Sequence, residues 1–250
     1  MREIVFVQSC GSTNTELASL PEPQSGLTVY CHTQTAGRGQ RGNSWEARPG
    51  ENLTFSTMLM PALLPASRQF EMSMFVSLAI AETLGRHGIE ASIKWPNDIY
   101  AGGDRKICGI LIENSLSGSR LERAVVGVGL NVNQTVFESD APNPVSMRML
   151  TGKSYPLKPL LEEVVDAILR ELAAYEEGST AADAAKLKAR YRARMWRGEA
   201  GRLYPFRDTA TGERFRASVA DVASDGTLSL LDESGKMREY LFKEVEFLLK

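Results

Sequence analysis

Nine consecutive residues in the first fifth of the chain hold three glycines, two arginines and a tryptophan: Gly37-Arg38-Gly39-Gln40-Arg41-Gly42-Asn43-Ser44-Trp45. Glycine lets a backbone approach a ligand closely, and successive free N–H groups beside fixed guanidinium forks suit a phosphate or a carboxylate. A flexible surface loop is the competing reading of the same composition. Gly37-x-Gly39-x-x-Gly42 has the spacing of the dinucleotide fingerprint, but Trp45-Glu46-Ala47-Arg48-Pro49-Gly50 does not open the helix that fingerprint requires. Gly37-x-x-x-x-Gly42 also has the P-loop spacing, yet Asn43-Ser44 stands where Lys-Ser/Thr is needed. The kinase signatures HRD and DFG do not occur downstream. What remains is an anion-binding loop between two strands.

Four other stretches carry candidate groups, and the elements around them are legible. Residues 3–8 alternate as a strand, after which Thr13-Asn14-Thr15-Glu16 has the form of a capping box, with Thr13 as N-cap of a short helix through Leu17 and Leu20. Capping by itself accounts for Ser12, Thr13 and Asn14. Leu27 to Thr33 reads as a strand that delivers Gln34 to the mouth of the glycine loop, and Asn52 to Met58 as the strand after it. Phe70 to His87 has apolar residues at helical spacing. Lys94-Trp95-Pro96-Asn97-Asp98 leaves a short strand through a turn, Gly102-Gly103-Asp104 marks a hairpin, and Lys106 to Glu113 returns. Strand alternation puts Lys106 and Cys108 on one face. Arg123 to Asn133 is a strand whose small residues, Gly127 and Gly129 among them, imply close approach of another backbone or a ligand.

The second half begins helical, over Leu157–Tyr175 and again over Ala181–Trp196. From Gly201, short strand-like runs alternate with Asp-Gly and Ser-Gly turns at about ten-residue spacing, the pattern of a small β-barrel or sandwich. The expected division is therefore a catalytic unit over 1–197 and a small β unit over 198–250. Arg202, Lys236 and Arg238 in the latter receive no role.

Composition narrows the class. The 250 residues are 43% hydrophobic, and a net charge of −2 supplies no overall basic field for nucleic acid. No signal peptide opens the chain, no apolar run approaches the roughly 18 residues of a membrane span, and the three cysteines lack CxxC spacing. These features point to a reduced, cytoplasmic protein with no membrane partner. With two histidines, His32 and His87, neither a hydrolytic triad nor a histidine-rich metal site is expected.

Taken in order, Gln34, the loop Gly37–Trp45, Lys94-Trp95-Pro96-Asn97-Asp98, Arg105-Lys106-Ile107-Cys108-Gly109-Ile110-Leu111 and Gly127-Val128-Gly129-Leu130-Asn131 resemble the biotin–protein ligases over essentially the full length. The resemblance implies an α+β fold: a mixed-sheet catalytic domain of the class II synthetase-like, biotin–lipoate ligase type, followed by an SH3-like β-barrel. It implies biotin and MgATP as substrates, with Mg2+ arriving on the nucleotide, and biotinyl-5′-AMP as the intermediate. The acceptor would be a lysine of a biotin carboxyl carrier domain.

By position, Lys106 would contact the biotin carboxylate and α-phosphate, with Arg38 and Arg41 as the other charge-bearing catalytic residues. Ser12, Thr13, Asn14, Gln34, Gly37, Arg38, Gly39, Gln40, Lys106 and Gly109 would surround biotin; Arg41, Trp45, Lys94, Asn97 and Asn131 would face ATP or the adenylate. Asp98 is expected to be structural. The loop over 37–50 is expected to order over biotin and exclude water. Because the first catalytic strand begins by Ile4, no winged-helix domain is expected ahead of it, and the expected protein is a ligase that does not bind DNA. A homodimer is neither required nor excluded.

Rival readings stay open at this stage. A lipoate or octanoate ligase has the same fold class, a cysteine acyltransferase could use Cys108, and a non-catalytic biotin sensor could use the pocket alone.

Overall fold

A computed structural model describes residues 2–39, 45–138, 143–178 and 180–249. Seven strands form a mixed sheet: β1 (Glu3–Cys10), β2 (Leu27–Gln34), β3 (Leu53–Leu59), β4 (Ala91–Lys94), β5 (Asp98–Ala101), β6 (Arg105–Ser117) and β7 (Arg120–Leu130). Their spatial order is β1-β2-β3-β7-β6-β5-β4. Only the β1–β2 pair is parallel, and helix α1 (Thr13–Ser19) makes the crossover such a pair requires.

The two faces of this sheet are used differently, and the alternation of side chains shows how. Tyr30, Phe55, Leu59, Val126, Val128 and Leu130 point into the main core beneath α2 (Phe70–Arg86) and α4 (Leu157–Glu177). The opposite face carries Val29, Met58 and Val125, which pack on Leu17 of α1. This second cluster covers only one end of the sheet. Further along the same face the residues become small or polar, with Thr54 and Ser56 on β3 and Gly127 and Gly129 on β7. A sheet buried on both faces selects apolar residues at every position; the interruption by Thr, Ser and Gly leaves a hollow where a second layer would lie.

A short helix, α3 (Met147–Thr151), follows β7, its N-cap Ser146 accepting from Met149 N. Helix α5 (Ala181–Ala193) ends three residues before the expected Trp196. There the chain turns to pair with the edge strand: Ile93 N donates to Arg194 O at 2.7 Å and Trp196 N to Ile93 O at 2.9 Å. That contact covers an edge that would otherwise expose unpaired backbone groups.

The remaining strands, β8 (Tyr204–Asp208), β9 (Arg214–Val222), β10 (Leu228–Asp232), β11 (Met237–Tyr240) and β12 (Val245–Phe247), form an antiparallel sheet in the order β11-β10-β9-β8-β12. This is the expected small β unit, seen as a five-stranded sheet with β11 and β12 as its ends. It is seated on the first sheet through aromatics. Phe242 lies 5.4 Å from Trp95 and 5.6 Å from Phe70, centroid to centroid, while Trp95 Nε1 donates to Gly226 O at 3.0 Å. Phe206, Phe215 and Phe247 continue the same hydrophobic cluster. Among the described residues no helix is long and apolar enough to cross a membrane.

Candidate active site

The hollow on the α1 face is the floor of a pocket whose walls come from α1, the end of β2, Arg38, Gly39, Trp45, β3, β5, β6, β7 and Lys243 beside the second sheet. Its closed end is polar. Thr13 N donates to Gln34 Oε1 at 2.9 Å, with the Thr13 hydroxyl 3.3 Å from the same oxygen. Ser56 Oγ lies 2.7 Å from Thr13 Oγ1 and donates to Asn14 Oδ1 at 2.5 Å, and Asn14 Nδ2 donates to Glu113 Oε2 at 2.7 Å. The capping-box expectation is corrected here: α1 starts one residue earlier than supposed, with Ser12 in an extended conformation as N-cap and no side-chain cap bond. Thr13 and Asn14 are thus released from capping and face Gln34 and Ser56 instead.

Glycines set the middle of the pocket. The β6–β7 register places Gly109 directly opposite Gly129, and Leu111 opposite Gly127. The indole of Trp45 lies on the first pair: a Cβ at 129 would stand 2.2 Å from Trp45 Cε2, and one at 109 would stand 3.0 Å from Cζ3. A Cβ at 127 would stand 2.3 Å from Asn14 Oδ1. The close approach at this strand is made by two side chains of the site itself, Trp45 and Asn14, and not by another backbone. Trp45 N donates to Gly37 O at 3.2 Å, closing the loop at its base. The Trp45 Nε1 donor is buried without a partner.

The other end is charged. Lys106 Nζ pairs with Asp98 Oδ1 at 2.7 Å, the two side chains 31% and 19% exposed, and the ammonium stands 5.6 Å from the centre of the Trp45 ring. Asp98, expected to be only structural, is the counter-ion of the principal candidate lysine. Arg38 lines the same pocket, donating to Thr15 Oγ1 at 2.9 Å with Glu113 at 3.8 Å. Asn97 also lines it, though its side chain donates to Ile110 O at 2.6 Å and Ile110 N donates back to Asn97 O. That reciprocal pair ties the Trp95–Asp98 turn to β6.

A β-bulge overturns the expectation that Lys106 and Cys108 share a face. Tyr100 pairs with Lys106 and Ile99 with Cys108, so β6 advances two residues for one of β5. The extra residue, Ile107, reverses the alternation. Lys106 thereby joins Gly109 in the pocket, while Cys108 goes into the core fully buried. Burial pushes the Cys108 thiol far above its ordinary range, against the opposing pull of Lys106.

Three of the described predicted residues are not on the pocket lining: Gly37, whose carbonyl accepts from Trp45 N, Lys94 and Asn131. Lys94 donates to Tyr100 Oη at 3.0 Å and stands over the Tyr100 and Trp196 rings, on the far side of the β4–β5 hairpin. Asn131 lies beyond the pocket lining, its Nδ2 donating to Val145 O at 3.1 Å and its buried Oδ1 unpartnered. Gln40 and Arg41 lie outside the described residues. The far side of the loop is fixed: Arg48 N donates to Gln134 Oε1, Gln134 Nε2 to Glu46 Oε1, and Gly50 N to His32 O. These bonds tie residues 46–50 to β2 and to the segment after β7.

Thr54, Ser56, Glu113 and Lys243 are site residues that the sequence reading missed. Ser56 and Thr54 had one signal, polar residues recurring with period two along β3; Lys243 had none, since it comes from the second unit.

Comparison with known proteins bears on the pocket as a whole. A profile of the biotin/lipoate A/B protein ligase family matches residues 6–131, the span from β1 to the end of β7. The biotin–[acetyl-CoA-carboxylase] ligase of Paracoccus denitrificans is 30% identical over 237 residues, covering 90% of this chain and 89% of that protein. The chain belongs to the biotin/lipoate A/B protein ligase family. Within it, the bifunctional ligase/repressor BirA of Bacillus spizizenii is 33% identical over 129 residues, 51% of this chain but only 39% of that relative. Among solved structures, the biotin protein ligase from Aquifex aeolicus in complex with biotin and ATP superposes with a TM-score of 0.79 over 98% of both chains at 24% identity, so both sheets share its fold.

Proposed function

We propose that this family member activates biotin with MgATP as biotinyl-5′-AMP and then transfers the biotinyl group to a lysine of a biotin carboxyl carrier protein. The observation that carries the proposal is a single cleft with hydrogen-bonding groups at its closed end and the Lys106–Asp98 pair at the other, separated by the glycine shelf and the Trp45 indole. A ureido ring offers two N–H donors and one acceptor, which the oxygens and amides of Thr13, Asn14, Gln34 and Ser56 complement. The valeryl chain would run from the closed end past the Trp45 indole, which covers Gly109 and Gly129, and bring its carboxylate to Lys106.

Both reacting groups are anions, so the first step needs fixed positive charge. The carboxylate oxygen attacks the α-phosphorus and pyrophosphate leaves; Lys106 Nζ, turned from Asp98 toward the incoming oxygens, would stabilise the charge that builds on them. Asp98 holds the ammonium within 2.7 Å until the anions arrive. Arg38, and Arg41 from the same loop, would add guanidinium charge. In the second step the acceptor amine attacks the acyl carbon, AMP departs and the amine loses its proton. Among the described residues no group of three or more His, Cys, Asp or Glu is arranged to hold a metal ion, so Mg2+ would enter as part of MgATP.

The buried, unpartnered Trp45 Nε1 and Asn131 Oδ1 support a nucleotide site beyond Gly129. A purine edge supplies the complementary acceptor and amino donor, and an unpaired buried polar group costs about 1–3 kcal/mol. Residues 1–197 would form the catalytic unit, with 198–250 as a companion that reaches the pocket through Lys243.

The closed end also separates biotin from its chemical neighbours. An octanoyl tail or a dithiolane ring would displace water from Thr13, Asn14 and Ser56 without meeting the hydrogen-bonding capacity they keep beyond their mutual bonds, which is unfavourable. Cys108, buried and off the pocket, cannot serve as an acyl-carrying nucleophile from where it stands. The test is ATP–pyrophosphate exchange with biotin, lipoate or octanoate as the only added acid. Exchange with biotin alone is expected; exchange with lipoate alone would move the assignment to the neighbouring ligases, and none with any acid would end the ligase reading.

A further inference from the structure

Lys243 is the one residue of the five-stranded sheet among those described that line the pocket. It occupies a backbone position that does not suit a lysine. Glu244 N donates to Leu241 O at 3.1 Å, making Leu241–Glu244 a β-turn whose third residue is Lys243, and its φ is +69°. A positive φ at that position favours glycine, because an L side chain crowds the adjacent carbonyl. The turn is nevertheless held: Thr209 Oγ1 donates to Lys243 O at 2.7 Å, Thr209 N to Glu244 O at 2.9 Å, and Leu241 N to Glu244 Oε2 at 2.7 Å.

The location of the turn is fixed as firmly as its shape. The preceding Phe242 packs against Trp95 and Phe70. Trp95 begins the turn that supplies Asn97 and Asp98 to the pocket, so Lys243 enters at the charged end and not at the Thr13–Gln34 end. Backbone strain persists where the surroundings over-determine it, and it concentrates at ligand-binding positions. Here the strained residue is a cation, delivered from the turn between β11 and β12 to the charged end of the pocket.

We propose that Lys243 is a polyphosphate-binding residue: the second sheet presents its ammonium to the β,γ-phosphates of ATP, the group that leaves as pyrophosphate. The inference rests on the ligase reading and assigns the five-stranded sheet a direct part in the first step. When the α-phosphate and carboxylate draw Lys106 away from Asp98, the triphosphate tail needs a cation of its own, and Lys243 supplies it. Biotin, bound at the opposite end, does not meet it.

The experiment is biotin-dependent ATP–pyrophosphate exchange on the full chain, comparing the unmodified protein with Lys243→Gly and Lys243→Met, alongside thermal unfolding. Lys243→Gly relieves the backbone strain and removes the charge; Lys243→Met removes the charge and keeps the strain. Both are expected to raise the KM for ATP and for pyrophosphate by about 5- to 20-fold, the loss of one charge-assisted contact in a solvent-accessible mouth, and to change the KM for biotin less than about twofold. Lys243→Gly alone is expected to raise the Tm, by about 2–4 °C. The difference between variants and unmodified protein should shrink as salt is raised. An ATP KM within twofold of the unmodified protein in both variants overturns the inference while leaving the ligase reading intact. Absence of biotin-dependent exchange in the unmodified protein overturns both.

Discussion

Gly129 gives the sharpest test of how this pocket is built. The change Gly129→Ala adds one methyl group, whose carbon would fall 2.2 Å from Trp45 Cε2, 2.5 Å from Nε1 and 2.6 Å from Cζ2. Carbon atoms in contact settle at about 3.5–4.0 Å, so the indole must withdraw by about 1.3 Å or more. On the Gly109 side Lys106 Nζ stands 5.6 Å from the ring centre, and the Trp45 backbone is tied to Gly37 O. The remaining route is outward, away from the glycine shelf that would seat the bound adenylate. Overpacking costs about 1–3 kcal/mol, and the lower end applies because the indole lies at a pocket edge. The effect on chemistry is larger, since misplacement of about 1 Å costs on the order of a hundredfold in rate.

Gly127→Ala serves as the internal comparison. Its methyl carbon would strike Asn14 Oδ1 at 2.3 Å, two residues further along the same face, and disturb the closed end. The expected outcome of ATP–pyrophosphate exchange is therefore a split. Gly129→Ala lowers kcat about a hundredfold, whereas Gly127→Ala chiefly raises the KM for biotin by about tenfold, the equivalent of one lost hydrogen bond. Near-UV circular dichroism should report the displaced indole in Gly129→Ala only. Exchange by Gly129→Ala within threefold of the unmodified protein would refute the shelf as the determinant of Trp45 position.

Other expectations follow from particular contacts. Lys106→Ala should abolish exchange yet lower the Tm by no more than about 4 °C, since the partly exposed ion pair it breaks contributes about 0–1 kcal/mol; Cys108→Ala should do the reverse, costing about 1 kcal/mol of packing while exchange persists. Glu71, with a side chain only 2% exposed, holds Arg68 through two hydrogen bonds and Tyr175 through one. Its replacement by alanine should cost about 3 kcal/mol, read as a Tm lower by about 6–12 °C. Alkylation of the native protein at pH 8, read by mass spectrometry, should modify Cys10 before Cys31 and Cys108: burial drives the Cys31 thiol up to about 12 and that of Cys108 still higher, whereas Cys10 is partly exposed.

Much of the scaffold was legible in the chain because it depends on local order. Strands at 3–8, 27–33 and 52–58 and the helix over Phe70–His87 were placed to within two residues by alternation or by helical spacing. The turn residues announced the second sheet in the same way. Loop composition and the small residues of β7 marked where a ligand or another part of the chain would approach. The order of five short motifs carried the family.

What the sequence could not contain were relations set by distant pairing. Whether Lys106 or Cys108 faces the pocket turns on a bulge at Ile107, which exists only because β5 and β6 pair out of step. Lys94 and Asp98 sit opposite each other in the β4–β5 hairpin, yet the pairing sends one toward Tyr100 and the other to Lys106. Thr13 looked like a cap because a capping box is a local pattern; the tertiary contacts with Gln34 and Ser56 draw on residues 21 and 43 positions away. Lys243 reaches the site because aromatic packing, over more than a hundred residues of intervening chain, seats one sheet on the other. Alternation, caps and turns are properties of a few neighbouring residues and can be read from them. The direction a side chain faces in a finished sheet is decided by register and packing, and only the folded chain supplies those.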